Sequence, residues 1–300
     1  MIIDMVDKEI IRKIKQSTIE VGLVKRNDPN PLVIYGSGFI VDDNGVIVTA
    51  EHVLDACRTD KKFHKNRGME TDYAIFRPIH NESEFNFDVA VIGDLKNITN
   101  VKKSKNFPLN VIDLGFGKMF SPIKDCKPLT LDTDTPNIFD EIAMCGFPSG
   151  DFTLDMEGQR MGIRYSPLFQ FGKISGLLPF DDAKSPYGIQ TDIIGVGGSS
   201  GSPIINPNNG KIIGIAQQVI PADVEVKIQN DELNKELHGF GMAKIGQVYG
   251  ISNSIMSPMV ESIKKYYHDG TLEDIQIHAS GFEYTSHFKT EVKVDKSKLD

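Results

Sequence analysis

Three side chains of the types that cooperate in acyl transfer stand far apart in the chain: His52, Asp88 and Ser200, the last inside a glycine-rich run. Attack by a serine hydroxyl needs a base within reach of its proton, an acid that orients the base, and backbone donors for the oxyanion. The run Gly195-Val196-Gly197-Gly198-Ser199-Ser200-Gly201-Ser202-Pro203 can supply the donors. Glycines at 197, 198 and 201 permit a tight turn, so the amides of Gly198 and Ser200 can converge on one point beside the Ser200 hydroxyl. Each feature has a plainer reading when taken alone. A Gly/Ser run is commonly a surface loop, a lone histidine after a strand packs or caps, and an aspartate opening an apolar strand is usually a solvated turn residue. The glycine-rich run lies between two strand-like stretches, where a flexible linker is not expected.

The three cysteines, Cys57, Cys126 and Cys145, form an odd set that allows at most one disulfide. That usage suits a reducing compartment, and buried structural cysteine is the commoner role than nucleophile. No Cys-x-x-Cys or His-x-x-x-His pair occurs, so zinc is not expected, and acyl transfer to serine needs no metal or organic cofactor.

The elements that must position these residues follow from hydrophobic patterning. At 300 residues, 40% hydrophobic and 25% charged, the chain can bury a core without crosslinks. Val6, Ile10, Ile11 and Ile14 recur at helical spacing and predict a short amphipathic helix over residues 6–16, within an amino-terminal extension of residues 1–17. From Thr18 the texture changes to short β-branched runs cut by Gly, Asn and Asp: residues 19–24, 32–41, 46–49, 88–92 and 142–145. Asp42-Asp43-Asn44-Gly45 supplies the residues that tolerate positive φ in a hairpin loop. Residues 94–108 are polar and read as a loop. A boundary between two lobes is expected near 121–134, and the strand texture returns in 169–177, 188–191, 202–205 and 211–220. Ser252, Asn253 and Ser254 form a capping cluster before an amphipathic helix over 255–267. Alternation after Gly270 predicts a carboxy-terminal hairpin that ends in a mobile, charged tail. The fold class is therefore all-β, with one helix at each end.

Together these blocks resemble the chymotrypsin-like (trypsin-fold) serine peptidases, within them the bacterial HtrA/Deg-type branch. Gly36-Ser37-Gly38-Phe39-Ile40-Val41, Asn44-Gly45-Val46-Ile47-Val48-Thr49 and His52-Val53 resemble the family's block around the catalytic histidine. Asp88-Val89-Ala90-Val91 resembles its aspartate block. Ile189-Gln190-Thr191-Asp192 with Gly198-Ser199-Ser200-Gly201-Ser202-Pro203 resembles its nucleophile block. Shorter matches at 143–148, 172–175, 210–215 and 250–252 extend the likeness over roughly residues 18–265. The order His, Asp, Ser, with separations of 36 and 112, suits this topology and not that of α/β-hydrolases.

The resemblance implies two six-stranded Greek-key β-barrels over residues 18–268 and a serine endopeptidase with Ser200 as nucleophile, His52 as base and Asp88 as orienting acid. Gly198 and Ser200 amides would form the oxyanion hole. Ser202 departs from the family's second glycine after the nucleophile, and Ser199 stands where trypsins have aspartate. With no Ile-Val-Gly-Gly amino terminus, the oxyanion loop must be ordered by another route. Ile194 occupies the position where trypsins place the acid that binds Lys and Arg, so uncharged or aliphatic residues are expected before the cut. Gln217, Gln218 and Val219 are expected to pair with substrate backbone by β-addition. The 35 or so residues after Tyr266 are too few for a PDZ domain. The alternative is a catalytically latent trypsin-fold module that binds peptide without cutting it.

The expected partners are a protein or peptide substrate and, in addition, a regulatory protein. A net charge of −8 and a pI near 5.4 argue against nucleic acid. No apolar run of about 18 residues points to a membrane, and the amino-terminal charges at Asp4, Asp7, Lys8 and Glu9 interrupt any leader core, so a cytoplasmic address is expected.

Overall fold

The structure, a computed structural model, describes residues 7–28, 30–80, 85–100, 112–148, 155–156, 159–160, 166–221, 246–270, 275–279 and 282–293. Helix α1 (Lys8–Ser17) opens the described chain; the Asp7 side chain caps it by accepting from the Glu9 amide. Strands β1 (Thr18–Lys25), β2 (Pro31–Ile40) and β3 (Val46–Thr49) follow, then helix α2 (Glu51–Asn66), β4 (Thr71–His80), β5 (Phe85–Asn100) and β6 (Gly115–Met119). Ladders run β4-β1-β2-β3-β6, and β5 pairs with both β4 and β6, which closes a six-stranded antiparallel barrel. The β2–β3 loop turns as its letters predict, with Gly45 at φ +83° and the Asn44 amide donating to the Asp42 carboxylate.

The second barrel is built from β7 (Glu141–Gly146), β10 (Leu168–Leu178), β11 (Gly188–Gly195), β12 (Pro203–Ile205), β13 (Ile212–Pro221) and β14 (Gly246–Ser252), closed in the order β10-β11-β14-β13-β12-β7. Between β7 and β10 lies the short ribbon β8 (Asp155–Met156) and β9 (Gln159–Arg160). Helix α3 (Asn253–Asp269) follows, capped by Ser252 at its start and by Gly270 at φ +83° at its end. Strands β15 (Ile275–Ala279) and β16 (Phe282–Lys293) then return to the first barrel, where β16 pairs with the second half of β5. The two six-stranded barrels and the terminal helices are the architecture that the patterning and the resemblance implied.

Alternation along the strands produces three main cores. Ile19, Val21, Leu23, Ile47, Ile75 and Ile92 fill the first barrel, joined by Val53, Leu54 and Cys57 from α2. Ile142, Met144, Ile174, Ile189 and Ile204 fill the second. A third core, with Phe39, Val48 and Phe116 against Ile205, Ile215, Ile251 and Met256, lies between the barrels and draws in Ile14 of α1 and Ile263 of α3. Burying each such side chain contributes about 1.5–3 kcal/mol, so the shared core holds the barrels in one arrangement.

Two departures from the sequence-based expectations bear on the site. The sequence pattern marks no helix after His52, but α2 runs for 16 residues. Residues 94–100, expected in a polar loop, continue β5, while 101–108 fall outside the described residues. Asp94 and Lys96 in that half-strand are paired with each other rather than solvated. Lys96 is fully buried, with Nζ 2.8 Å from both Asp94 carboxylate oxygens and 4.1 Å from the Tyr266 ring centroid.

Candidate active site

His52 stands in the first turn of α2, directly after β3. The α2 N-cap is Ala50, which offers no side-chain acceptor to the orphan amides of the first turn. Asp113 supplies one from across the sheet: its Oδ1 accepts the His52 backbone amide at 2.8 Å, and its Oδ2 lies 2.6 Å from His52 Nδ1. One carboxylate thus caps the helix and orients the ring. Because an ionised carboxylate only accepts, Nδ1 carries the proton and Nε2 is left as an acceptor. The strand pairing explains the placement. Thr49 of β3 faces Gly115 of β6, so the residue two before Gly115 lands beside the residue three after Thr49.

Asp88 is therefore not the partner of His52, and the expectation that it orients the histidine is corrected. It lies within β5 directly opposite Arg77 of β4, and its carboxylate is ion-paired with the Arg77 guanidinium, which also donates to the Lys124 carbonyl at 2.7 Å. No hydrogen bond or ion pair joins Asp88 to His52 among the described residues. The sequence holds a signal for Asp113 of the same kind as for Asp88: an acid just ahead of alternating apolar residues, here Leu114 and Phe116.

Ser200 is held by two consecutive turns. In the first, the Ser199 amide donates to Val196 O at 3.2 Å with Gly198 at φ +88°; in the second, the Ser202 amide donates to Ser199 O at 3.1 Å with Gly201 at φ +85°. Positive φ at the third residue marks type II turns, and it demands glycine there. Gly201 is further constrained, since an added Cβ would lie 2.0 Å from Ser37 O. Its amide is bonded to Ala216 O at 2.7 Å, while the Ser200 carbonyl accepts from the Ser37 amide at 2.8 Å. Among the described residues, neither the Gly198 amide nor the Ser200 amide donates to a protein acceptor. Both expected oxyanion donors are left open to a ligand.

The His52 and Ser200 segments meet across Gly36. A Cβ added at Gly36 would lie 2.6 Å from Val53 Cγ2 on one side and 2.9 Å from Ser200 O on the other. The Ser200 hydroxyl donates to Gln217 O at 3.2 Å, and no hydrogen bond joins it to His52. Ser202 is fully buried, and its hydroxyl fills space that a side chain at 146 would need, 1.8 Å from where a Cβ on Gly146 would stand.

Of the expected substrate-contacting residues, Gln217 is buried in β13 beside Ser200. Gln218 and Val219 pair with Tyr249 and Val248 of β14, and their side chains fall outside the described residues. On the opposite side of β13 the β12 ladder reaches Ile215 and the Gly201 and Ser202 backbone takes Ala216, so from residue 217 on the strand has no second strand partner among the described residues. Ile194, the last residue but one of β11, is 58% exposed, so it is not enclosed in a pocket.

The cysteines do not compete for the role of nucleophile. Burial pushes the Cys57 thiol up to about 12 and raises that of Cys126, Cys145 is buried in the shared core, and none of the three is in a disulfide.

The chain is similar to several solved structures of low identity. The serine endoprotease from Yersinia pestis is 16% identical with a TM-score of 0.48, over 89% of this chain and 68% of that one. Deg5 is 20% identical at 0.43, over 70% and 83%. The HtrA-type protease AlgW with tripeptide is 16% identical at 0.47, over 87% and 64%. No curated protein sequence matches the chain. The trypsin-like peptidase domain family matches residues 36–215, more than half of the sequence and the span that includes His52, Asp113 and Ser200, and the chain belongs to that family.

Proposed function

We propose that the chain is a serine endopeptidase in which Ser200 attacks the peptide carbonyl, His52 Nε2 takes the hydroxyl proton and later gives it to the leaving amine, and Asp113 holds the histidine in that tautomer. The observation that carries this reading is the two-point contact of Asp113 with the His52 amide and ring. The open amides of Gly198 and Ser200 would stabilise the oxyanion, and losing one such donor typically costs about a hundredfold to a thousandfold in rate. Substrate backbone would add to the unpaired side of β13 around 217–219, and water would then hydrolyse the acyl-enzyme.

Before attack the Ser200 hydroxyl must turn from Gln217 O to His52. This resting contact favours one second reading, a latent module that binds peptide without turnover. A fluorophosphonate probe and a peptide-library substrate separate the two. The enzyme reading expects covalent labelling at Ser200, turnover of the library, and loss of both in Ser200→Ala with peptide affinity retained. Peptide binding by the unmodified protein without labelling or cleavage would overturn it.

The uncharged Ile194 supports cleavage after uncharged or aliphatic residues, and a cleavage profile dominated by Lys or Arg would contradict that preference. Three cysteines outside any disulfide support action in a reducing compartment, where a regulated cytoplasmic role is the proposal. Detection of the protein only in an oxidising compartment would remove it.

A further inference from the structure

Ser37 of β2 belongs to the first barrel, yet its polar atoms are engaged with the loop that carries Ser200. Its amide donates to Ser200 O at 2.8 Å and its hydroxyl donates to Gly198 O at 2.8 Å. The same hydroxyl accepts the Phe147 amide at 2.9 Å, and the Ser37 carbonyl accepts from Thr49 Oγ1 at 2.7 Å. The residue is fully buried, so each of these bonds is shielded from competition by water.

The two carbonyls that Ser37 holds belong to the two residues whose amides are the open oxyanion donors. Drawing the Gly198 and Ser200 carbonyls toward β2 fixes the Gly198–Ser199 and Ser200–Gly201 peptide planes, the second of them the central peptide of the 199–202 turn, and with them the shape of both type II turns. In a type I turn the third residue would lie near φ −90°, and the Gly197–Gly198 peptide, which bears the Gly198 amide, would be turned over. Ser199 does not tie the loop down by charge: its buried hydroxyl has no partner among the described residues. The Ser37 side chain is an anchor in its place, contributed by the other barrel.

We propose that Ser37 is a positioning residue that keeps the oxyanion loop in its donor-presenting shape, a role that rests on the peptidase reading of Ser200. The loop then needs no new amino terminus to be ordered, since the anchor is part of β2 itself.

The test is Ser37→Ala, with Ser37→Cys as a variant of similar volume and weaker donor strength. The expected result is a fall in kcat of about a hundredfold for Ser37→Ala with KM changed less than threefold, and an intermediate fall for Ser37→Cys. A peptidyl aldehyde supplies the readout that mere loosening would not move. Ser200 Oγ bonds to the aldehyde carbon, the hydroxyl proton passes through His52 to the new hemiacetal oxygen, and nothing leaves, so that oxygen occupies the oxyanion site. Its affinity is expected to weaken by the same factor as kcat/KM, while affinity for an uncleaved product peptide stays constant. Retention of kcat and aldehyde affinity within threefold in Ser37→Ala overturns the role.

If the unmodified protein shows no fluorophosphonate labelling, the peptidase reading fails by itself. The amide resonances of Gly198 and Ser200 still decide the anchor: displaced or broadened in Ser37→Ala supports it, unchanged overturns it. If Ser37→Ala does not fold, Ser37→Cys decides by the same measurements.

Discussion

Asp88 and Asp113 are the same kind of residue in the same kind of place, an acid beside alternating apolar residues, yet they meet opposite partners. Asp88 sits inside the β4–β5 ladder with Arg77 opposite, 32% exposed, and its charge is matched by a guanidinium that also bonds the Lys124 carbonyl. Asp113 sits just before β6, 22% exposed, and serves a backbone amide and an imidazole at once. The difference comes from the strand each acid leads into. β6 pairs with β3, the strand that delivers His52, whereas the part of β5 that holds Asp88 pairs with β4, which leads away from it. A carboxylate becomes the candidate orienting acid through its neighbour in the sheet, not through its local sequence.

The most forceful way to break this comparison is to remove one negative charge from each site in turn. Asp113→Asn keeps the shape but offers His52 a group that can also donate, which permits the wrong tautomer; kcat on a peptide substrate is expected to fall about 10³–10⁴-fold. Asp88→Asn should leave kcat within threefold. The opposite ranking in steady-state kinetics would return the role to Asp88.

A smaller effect is expected where the comparison concerns stability. Asp88→Asn weakens a partly exposed ion pair and should cost about 1 kcal/mol, a drop of roughly 2–4 °C in thermal midpoint for a chain of this size. Calorimetry that finds no shift would mean that the Arg77 pair contributes nothing and the acid is merely solvated.

The smallest effect concerns a buried polar group with no counterpart to either carboxylate's partners. The Ser202 hydroxyl is buried without a hydrogen-bond partner among the described residues, so deleting it removes a desolvation cost rather than a bond. Ser202→Ala should change unfolding free energy by no more than about 1 kcal/mol, in the stabilising direction. A loss above about 2 kcal/mol in urea unfolding would show that the hydroxyl is bonded after all.

Much of the architecture was legible because it rests on local periodicity. Alternation marked most strands, Asp42 to Gly45 marked a hairpin, and Ser252 marked the start of α3, since side-chain direction and capping act within a few residues. Other elements were hidden by tertiary compensation. The second half of β5 reads as loop because Asp94, Lys96 and Asn97 are polar, but Lys96 is satisfied by Asp94 and the Tyr266 ring of a helix some 170 residues later. Helix α2 has no cap of its own in the sequence, because Asp113 provides it from another strand.

By itself, the sequence determined the all-β class, the glycine-rich turn around Ser200 and the segment that carries His52, while the two barrels were what its resemblance to a family implied. Each depends on backbone preferences within a short window: glycine where φ must be positive, alternation where one face is buried. Only the tertiary structure decided which aspartate meets His52 and how the oxyanion loop is anchored. Asp113 reaches His52 through the β3–β6 ladder, and Ser37 holds the Gly198 and Ser200 carbonyls from the other barrel. Both contacts join residues that are distant in the chain, and their energy depends on strand register and burial, which no short window of sequence encodes.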